Sequence, residues 1–159
     1  MYLIGLVNFV IVKYFGNIQI VIDRVTSNKA LKAEGYWNLQ LIPFTTITSS
    51  IDSYIRVGIV PSSLNFIANI VVFIPMGYLI PHVVRRPSFL KTVVYSLASI
   101  LSIEIIQFLT YLGAADIDDV LLNLVGCVMG YAVYVIFRAF LNKQNKGYRT
   151  LNSRGTLPK

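Results

Sequence analysis

The residues able to do chemistry in this 159-residue chain gather in one stretch, Ser102 to Gly130. Glu104 and Gln107 stand in one apolar run, Asp116, Asp118 and Asp119 follow the turn Gly113-Ala114-Ala115, and Asn123 stands in a second apolar run. Four of the chain's seven acidic residues are here. Carboxylates among lipid-facing or deeply buried side chains are expensive, so each requires a partner, a proton or a task. Two carboxylates in different surroundings can divide acid and base work, with Glu104 as the buried acid and Asp118 or Asp119 as the base. Asp116, Asp118 and Asp119, with Asn123, also offer oxygen ligands suited to magnesium or calcium, although their spacing is not that of an EF-hand. Structural roles compete with both. Asp116-Ile-Asp-Asp is a good helix start, an aspartate N-cap with an acid at the third position. Glu104 and Gln107 can equally be interhelical hydrogen-bonding glue, as can Asn65, Asn69 and Asn123. No nucleophile motif accompanies these residues, and the readings stay open at this level.

The elements that must position them are membrane helices. The chain is 55% hydrophobic and 13% charged, with mean hydropathy +0.66, where a soluble domain carries about 25% charged residues. Val57–Val84 and Val120–Phe137 contain no charged residue, and an uncharged apolar run of about 18 or more residues is a transmembrane candidate. The net charge of +7 does not imply nucleic acid, because the basic residues flank apolar spans and leave no soluble basic surface. The single cysteine, Cys127, cannot form an internal disulfide or a cysteine-based zinc site and reads as a packing residue. The start MYLIGLVNFV has no basic n-region, so the first helix is expected to be retained.

The fold expected is all-α, a polytopic bundle of four transmembrane helices at about residues 1–22, 63–84, 92–112 and 116–140. It forms one domain, 1–140, followed by a basic, disordered tail, 141–159. The long connection Asp23–Ser63 has a polar first part. Its second part carries Tyr36 and Trp37, which suit the headgroup layer, and Thr45–Val60, an interfacial amphipathic helix or a solvated loop. Pro75, Gly77 and Pro81 fall in the second span, where a proline removes a backbone hydrogen bond and kinks the helix. Gly126-x-x-x-Gly130 lets a neighbouring helix approach closely and offers a face for an oligomer.

Basic residues decide the orientation. Arg85, Arg86 and Lys91 lie between spans two and three, and Arg138, Lys143, Lys146, Arg149, Arg154 and Lys159 lie at or after the end of span four. With four spans these groups share a side, which the positive-inside rule makes cytoplasmic, and both termini with it. Asn65, Asn69, Glu104, Gln107, Asp116, Asp118, Asp119 and Asn123 then fall in the outer halves of three spans and suggest a common polar chamber open outward. Lys13, counted from Met1, reaches nearly the depth of Glu104 and is its expected charge partner. His82 lies near the inner surface, away from this cluster.

The blocks LIPFTTI, NIVVFIPMGYLIP, SIEIIQFL and DIDDVLLNLVG occur in that order over about Leu41 to Tyr131. Together they resemble the VanZ-like family of small bacterial membrane proteins. The resemblance implies an envelope protein of the cytoplasmic membrane associated with low-level resistance to the glycopeptide teicoplanin. It matches Asn69, Glu104, Gln107, Asp116, Asp118, Asp119 and Asn123 to the family's polar positions, and Pro43, Phe44, Pro75, Gly77, Pro81 and Gly126 to its structural ones. Two positions depart: Gly113 stands where the family usually has an arginine, and Gln40 where it often has an asparagine. The missing arginine removes a counter-ion and leaves a role for Lys13 or a bound cation. Three functions are compatible with these residues. The chamber binds a lipid-linked cell-wall precursor, a lipid headgroup or the glycopeptide; or the chain is an enzyme on a lipid-linked envelope substrate; or a cation assists either. Membrane lipids are partners in each case, and no cofactor is required.

Overall fold

In the computed structural model, described over residues 18–37, 39–59 and 61–154, five helices and one pair of two-residue strands follow one another. They are α1 Ile18–Ala33, β1 Leu39–Gln40, α2 Thr45–Val57, α3 Pro61–Val83, α4 Phe89–Leu109, β2 Ala115–Asp116 and α5 Ile117–Arg154. Among the described residues three stretches are long and apolar enough to cross a membrane: Leu64–Val83, Phe89–Leu109 and Ile117–Gln144. The expected first span, 1–22, lies outside the described residues except for the start of α1, and so does Lys13 with its expected pairing to Glu104. The polar segment after Asp23 is helical to Ala33. The last helix continues past Phe140 to Arg154, over most of the stretch expected to be a disordered tail.

The three long helices are built inside out relative to a water-soluble bundle. α4 buries Thr92, Ser96, Ile100, Glu104 and Gln107, a stripe at helical spacing. Its opposite side shows Val94, Tyr95, Leu101, Ile105 and Leu109. Across the described residues nine polar or charged side chains are buried against seven apolar ones. With lipid tails as solvent, apolar surface gains nothing by being hidden, so polar groups seek one another in the interior.

The tightest contact is between α3 and α5, the most extensive helix pair among the described residues. Glycines on both helices make it possible. A Cβ on Gly77 would sit 1.9 Å from the Cys127 carbonyl oxygen, one on Gly126 2.2 Å from that of Ile70, and one on Gly130 2.0 Å from that of Ile74. The sequence offers the Gly126–Gly130 face to a second copy; in the structure α3 of the same chain occupies it, because backbone meets backbone there. Phe73, Met76 and Cys127 fill the space beside this seam, and Cys127 is a buried packing residue. α3 runs unbroken through Pro75 and Pro81.

Short polar devices fix the ends. Ser88 caps α4, its hydroxyl accepting the Lys91 N–H at 3.3 Å, and Lys91 Nζ donates to the carbonyls of Arg85 and Arg86 just past the end of α3. Gly58, at φ 88°, ends α2 three residues before the expected boundary at Val60. Where α3 ends, His82 packs its ring 4.9 Å from Tyr78 and 5.1 Å from Tyr134. At the opposite end α1 docks on the turn after α4. Asn28 donates to the Tyr111 carbonyl at 2.8 Å. Lys32 Nζ donates to the Tyr111 hydroxyl and lies 4.8 Å from the Trp37 ring centre, a cation–π contact worth about 0.5–1 kcal/mol at an exposed site.

Candidate functional site

The site forms where two distant sequence blocks meet. β1 pairs with β2 in parallel, Leu39 beside Ala115 and Gln40 beside Asp116. The all-α expectation omits this pair; two residues per strand carry no readable alternation. The pairing brings the segment leading into Pro43-Phe44 alongside the start of α5.

Asp118 then locks the two blocks together. Its side chain is fully buried. Oδ1 accepts the Phe44 N–H at 2.6 Å, and Oδ2 accepts the N–H groups of Thr46 and Ile47 at 2.8 and 3.1 Å. Thr46 and Ile47 belong to the first turn of α2, whose N–H groups have no partner inside the helix. Phe44 supplies no side-chain cap and sits in the left-handed region at φ 68°. A carboxylate from another helix therefore does the capping, and the positive end of the α2 dipole favours it. Both oxygens assigned in sequence to catalysis or to a metal are engaged by backbone donors.

Asp116 caps its own helix. Oδ1 accepts the Asp118 N–H at 2.9 Å, two residues on, and Oδ2 accepts the Thr46 hydroxyl at 2.7 Å. This is the helix-start role weighed for it above, with a second bond to α2. Asp119 is buried and its Oδ1 accepts from Asn69 Nδ2 at 2.5 Å, joining α5 to α3. A hydrogen bond to an ionised acceptor contributes about 1.5–3 kcal/mol.

In front of these acids lies a cleft of about 260 Å³, lined by Arg24 and Asn28 of α1, Thr46, Asn65, Asp116 and Asp119, with Gly113 and Ala114 on the connecting turn. The cleft lies where α3 and α5 begin and α4 has just ended, so it opens at the depth of one membrane face. Of the residues proposed from sequence, Asn65, Asp116 and Asp119 line it, and Asn69 reaches it through Asp119. Glu104, Gln107 and Asn123 are buried in the bundle and do not line it. Asn123 Oδ1 has no hydrogen-bond partner among the described residues. Arg24, Asn28 and Thr46 carried no signal in the sequence, because their spacing relates them to none of the acids.

Arg24 bears on the departure at Gly113. The turn lacks an arginine, and one on α1 lines the same cleft as Asp116 and Asp119. Gly113 itself has room: a Cβ there would meet Gln107 at 3.5 Å, an ordinary contact. Among the described residues no group of three or more His, Cys, Asp or Glu is placed to hold a metal ion. Asp116 and Asp118 direct their oxygens to helix starts and a hydroxyl.

Comparison with known proteins places the sequence in a family. A family model described as VanZ/LLP1 matches residues 1–138. Protein VanZ of Enterococcus faecium is 36% identical over 78 residues, covering 49% of this chain and 48% of that relative. The chain thus spans about half the length of the curated relative it matches. No solved structure matches the chain.

Proposed function

The chain belongs to the VanZ/LLP1 family, and from that premise we propose that it is a multi-pass protein of the bacterial cytoplasmic membrane whose polar cleft faces outward and binds a cell-envelope ligand. Through that ligand it contributes to teicoplanin-type resistance. The observation that carries the reading is the cleft itself. Two carboxylates, a guanidinium and two side-chain amides line one opening at the mouth of the helix bundle, and a helix clamped by Asp118 forms part of its wall. Groups so costly to hold beside hydrocarbon are retained for a task.

Orientation follows from charge. Arg85, Arg86 and Lys91 lie at the opposite end of α3 and α4 from the cleft, and Arg138 and Lys143 near the same end of α5. That end is cytoplasmic under the positive-inside rule, and the cleft is then external. A first span within 1–22 makes four in all and puts both termini inside. α2 lies in the interface, since Ile51, Tyr54, Ile55 and Val57 remain exposed on it where headgroups and acyl chains would cover them. No observation favours the alternative enzyme reading over this one. Glu104, the candidate acid, does not line the cleft; of the two candidate bases, Asp118 has both oxygens engaged by backbone N–H groups, and Asp119, which lines the cleft, accepts from Asn69.

The test is teicoplanin susceptibility of a sensitive Gram-positive strain expressing the chain, compared with Glu104→Gln and Asp119→Asn at matched membrane levels. Wild type is expected to protect, Asp119→Asn to lose most of the protection, and Glu104→Gln to lose less. Equal protection by all three would reduce the acids to capping and packing.

A further inference from the structure

The chemistry of the cleft narrows its ligand. The geometry points to a zwitterionic headgroup, a primary ammonium joined by a short linker to a phosphate, supplied by a membrane lipid. The inference rests on the outward-facing cleft proposed above. The charges are of both signs: Arg24 from α1, Asp116 and Asp119 from the start of α5. A guanidinium fits an oxyanion with two parallel N–H bonds. Carboxylates retain acceptor sites beyond the bonds they already make, since two oxygens offer about four lone-pair directions. The oxyanion of the ligand therefore faces α1 and its ammonium faces α5. Thr46 and the amides of Asn28 and Asn65 line the same cleft, the Thr46 hydroxyl donating to Asp116 and the Asn28 amide to the Tyr111 carbonyl.

Size and surroundings choose the source. Pockets for drug-sized molecules run from about 300 to 1,000 Å³, and this cleft holds about 260 Å³. A lipid headgroup is of a size to fill it. Thr46 lies in the first turn of α2, and the exposed part of that helix is apolar at Ile51, Tyr54 and Ile55. An occupant with acyl chains has a surface to lie along, which a free zwitterion would not use.

The experiment uses the full chain in a neutral detergent, with its one tryptophan, Trp37, as fluorescent reporter and a melting curve as second readout. The probes are glycerophosphoethanolamine, glycerophosphocholine, glycerol phosphate, ethanolamine and dialanine. Glycerophosphoethanolamine is expected to bind at least about tenfold more tightly than glycerophosphocholine, whose quaternary ammonium cannot donate hydrogen bonds to Asp116 or Asp119. It is also expected to exceed either half taken alone. Arg24→Gln, accepted for the comparison only if its melting curve stays within a few degrees of wild type, is expected to weaken glycerophosphoethanolamine by about tenfold and leave ethanolamine unchanged. Asp119→Asn is expected to do the reverse, sparing glycerol phosphate. Equal binding of the choline and ethanolamine probes would overturn the inference, as would unchanged binding by Arg24→Gln. Dialanine binding more tightly than glycerophosphoethanolamine would overturn the lipid source. A melting shift produced by magnesium chloride alone and competing with the headgroup would assign the cleft to a cation instead. Loss of teicoplanin protection in a variant of a chain that binds no headgroup would sink this inference and spare the proposed function. Headgroup binding in variants that still protect would do the opposite.

Discussion

Replacing Asp118 by alanine is expected to detach the start of α2 from the bundle at a cost of about 3 kcal/mol, about 1 kcal/mol for each of three backbone donors. Three backbone N–H groups converge on that carboxylate, from Phe44, Thr46 and Ile47. Each loses its acceptor at once, and a buried donor left without one costs about 1–3 kcal/mol. The left-handed backbone at Phe44 adds strain of about 1–2 kcal/mol that the clamp no longer holds in place. Asp118→Asn is expected to be nearly as severe, because one of the two accepting oxygens becomes an NH₂ facing N–H groups. Hydrogen exchange checks this directly: the amides of Thr46 and Ile47 should lose protection in Asp118→Ala and keep it in Asp116→Ala. The Asp116 variant gives up a helix cap and the bond to the Thr46 hydroxyl, a loss of about 1 kcal/mol. Equal protection at Thr46 and Ile47 in the wild type and the Asp118→Ala variant would remove the clamp from the account.

Gly130→Ala is expected to be among the most damaging methyl additions at the described glycines, costing more than about 3 kcal/mol, above the usual range for overpacking. The added carbon would lie 2.0 Å from the Ile74 carbonyl oxygen and 2.8 Å from the Tyr78 nitrogen. Both are backbone atoms of α3, so no side chain can swing aside and the helices must part. Gly77→Ala meets the Cys127 carbonyl at 1.9 Å and is expected to behave alike. Gly58→Ala is the contrast: nothing lies within 4 Å and only its backbone, φ 88° and ψ −146°, resists, a cost of about 1–3 kcal/mol. The measurement is the yield of monodisperse protein and its melting temperature in one detergent. The two seam variants should fall far below Gly58→Ala and Gly113→Ala.

Much of the helical framework was legible because lipid imposes a coarse rule. Uncharged apolar runs placed α3, α4 and α5 within about three residues at their starts, with the offsets due to local chemistry such as the Ser88 cap of α4. α2 was one of two readings of Thr45–Val60, a helix or a solvated loop, and the glycine that ends it was visible as a residue though not as a stop. The polar inward face of α4 was legible through Glu104 and Gln107, since charge in an apolar run must turn inward. What hydropathy could not show was who meets whom. Asp118 bonds residues 71–74 positions away, a separation that leaves no periodic trace. Arg24 sits in an ordinary polar stretch, and only the docking of α1 brings it to the cleft. The Gly126–Gly130 spacing announces a close neighbour without saying whether it belongs to the same chain. For that reason the acids looked alike in sequence, although one clamps a helix, one caps its own helix and one joins two helices at the cleft.

The central claim is that the cleft opens outward and that its occupancy matters. The most direct measurement uses the single native cysteine, which is buried, as a silent background. Ala114→Cys places a thiol on the cleft wall, and intact cells are treated with a membrane-impermeant maleimide before teicoplanin susceptibility is read. The account predicts labelling without permeabilisation and loss of protection in the variant, with no change in treated wild-type cells. Labelling only after permeabilisation, or full labelling with protection intact, would contradict it.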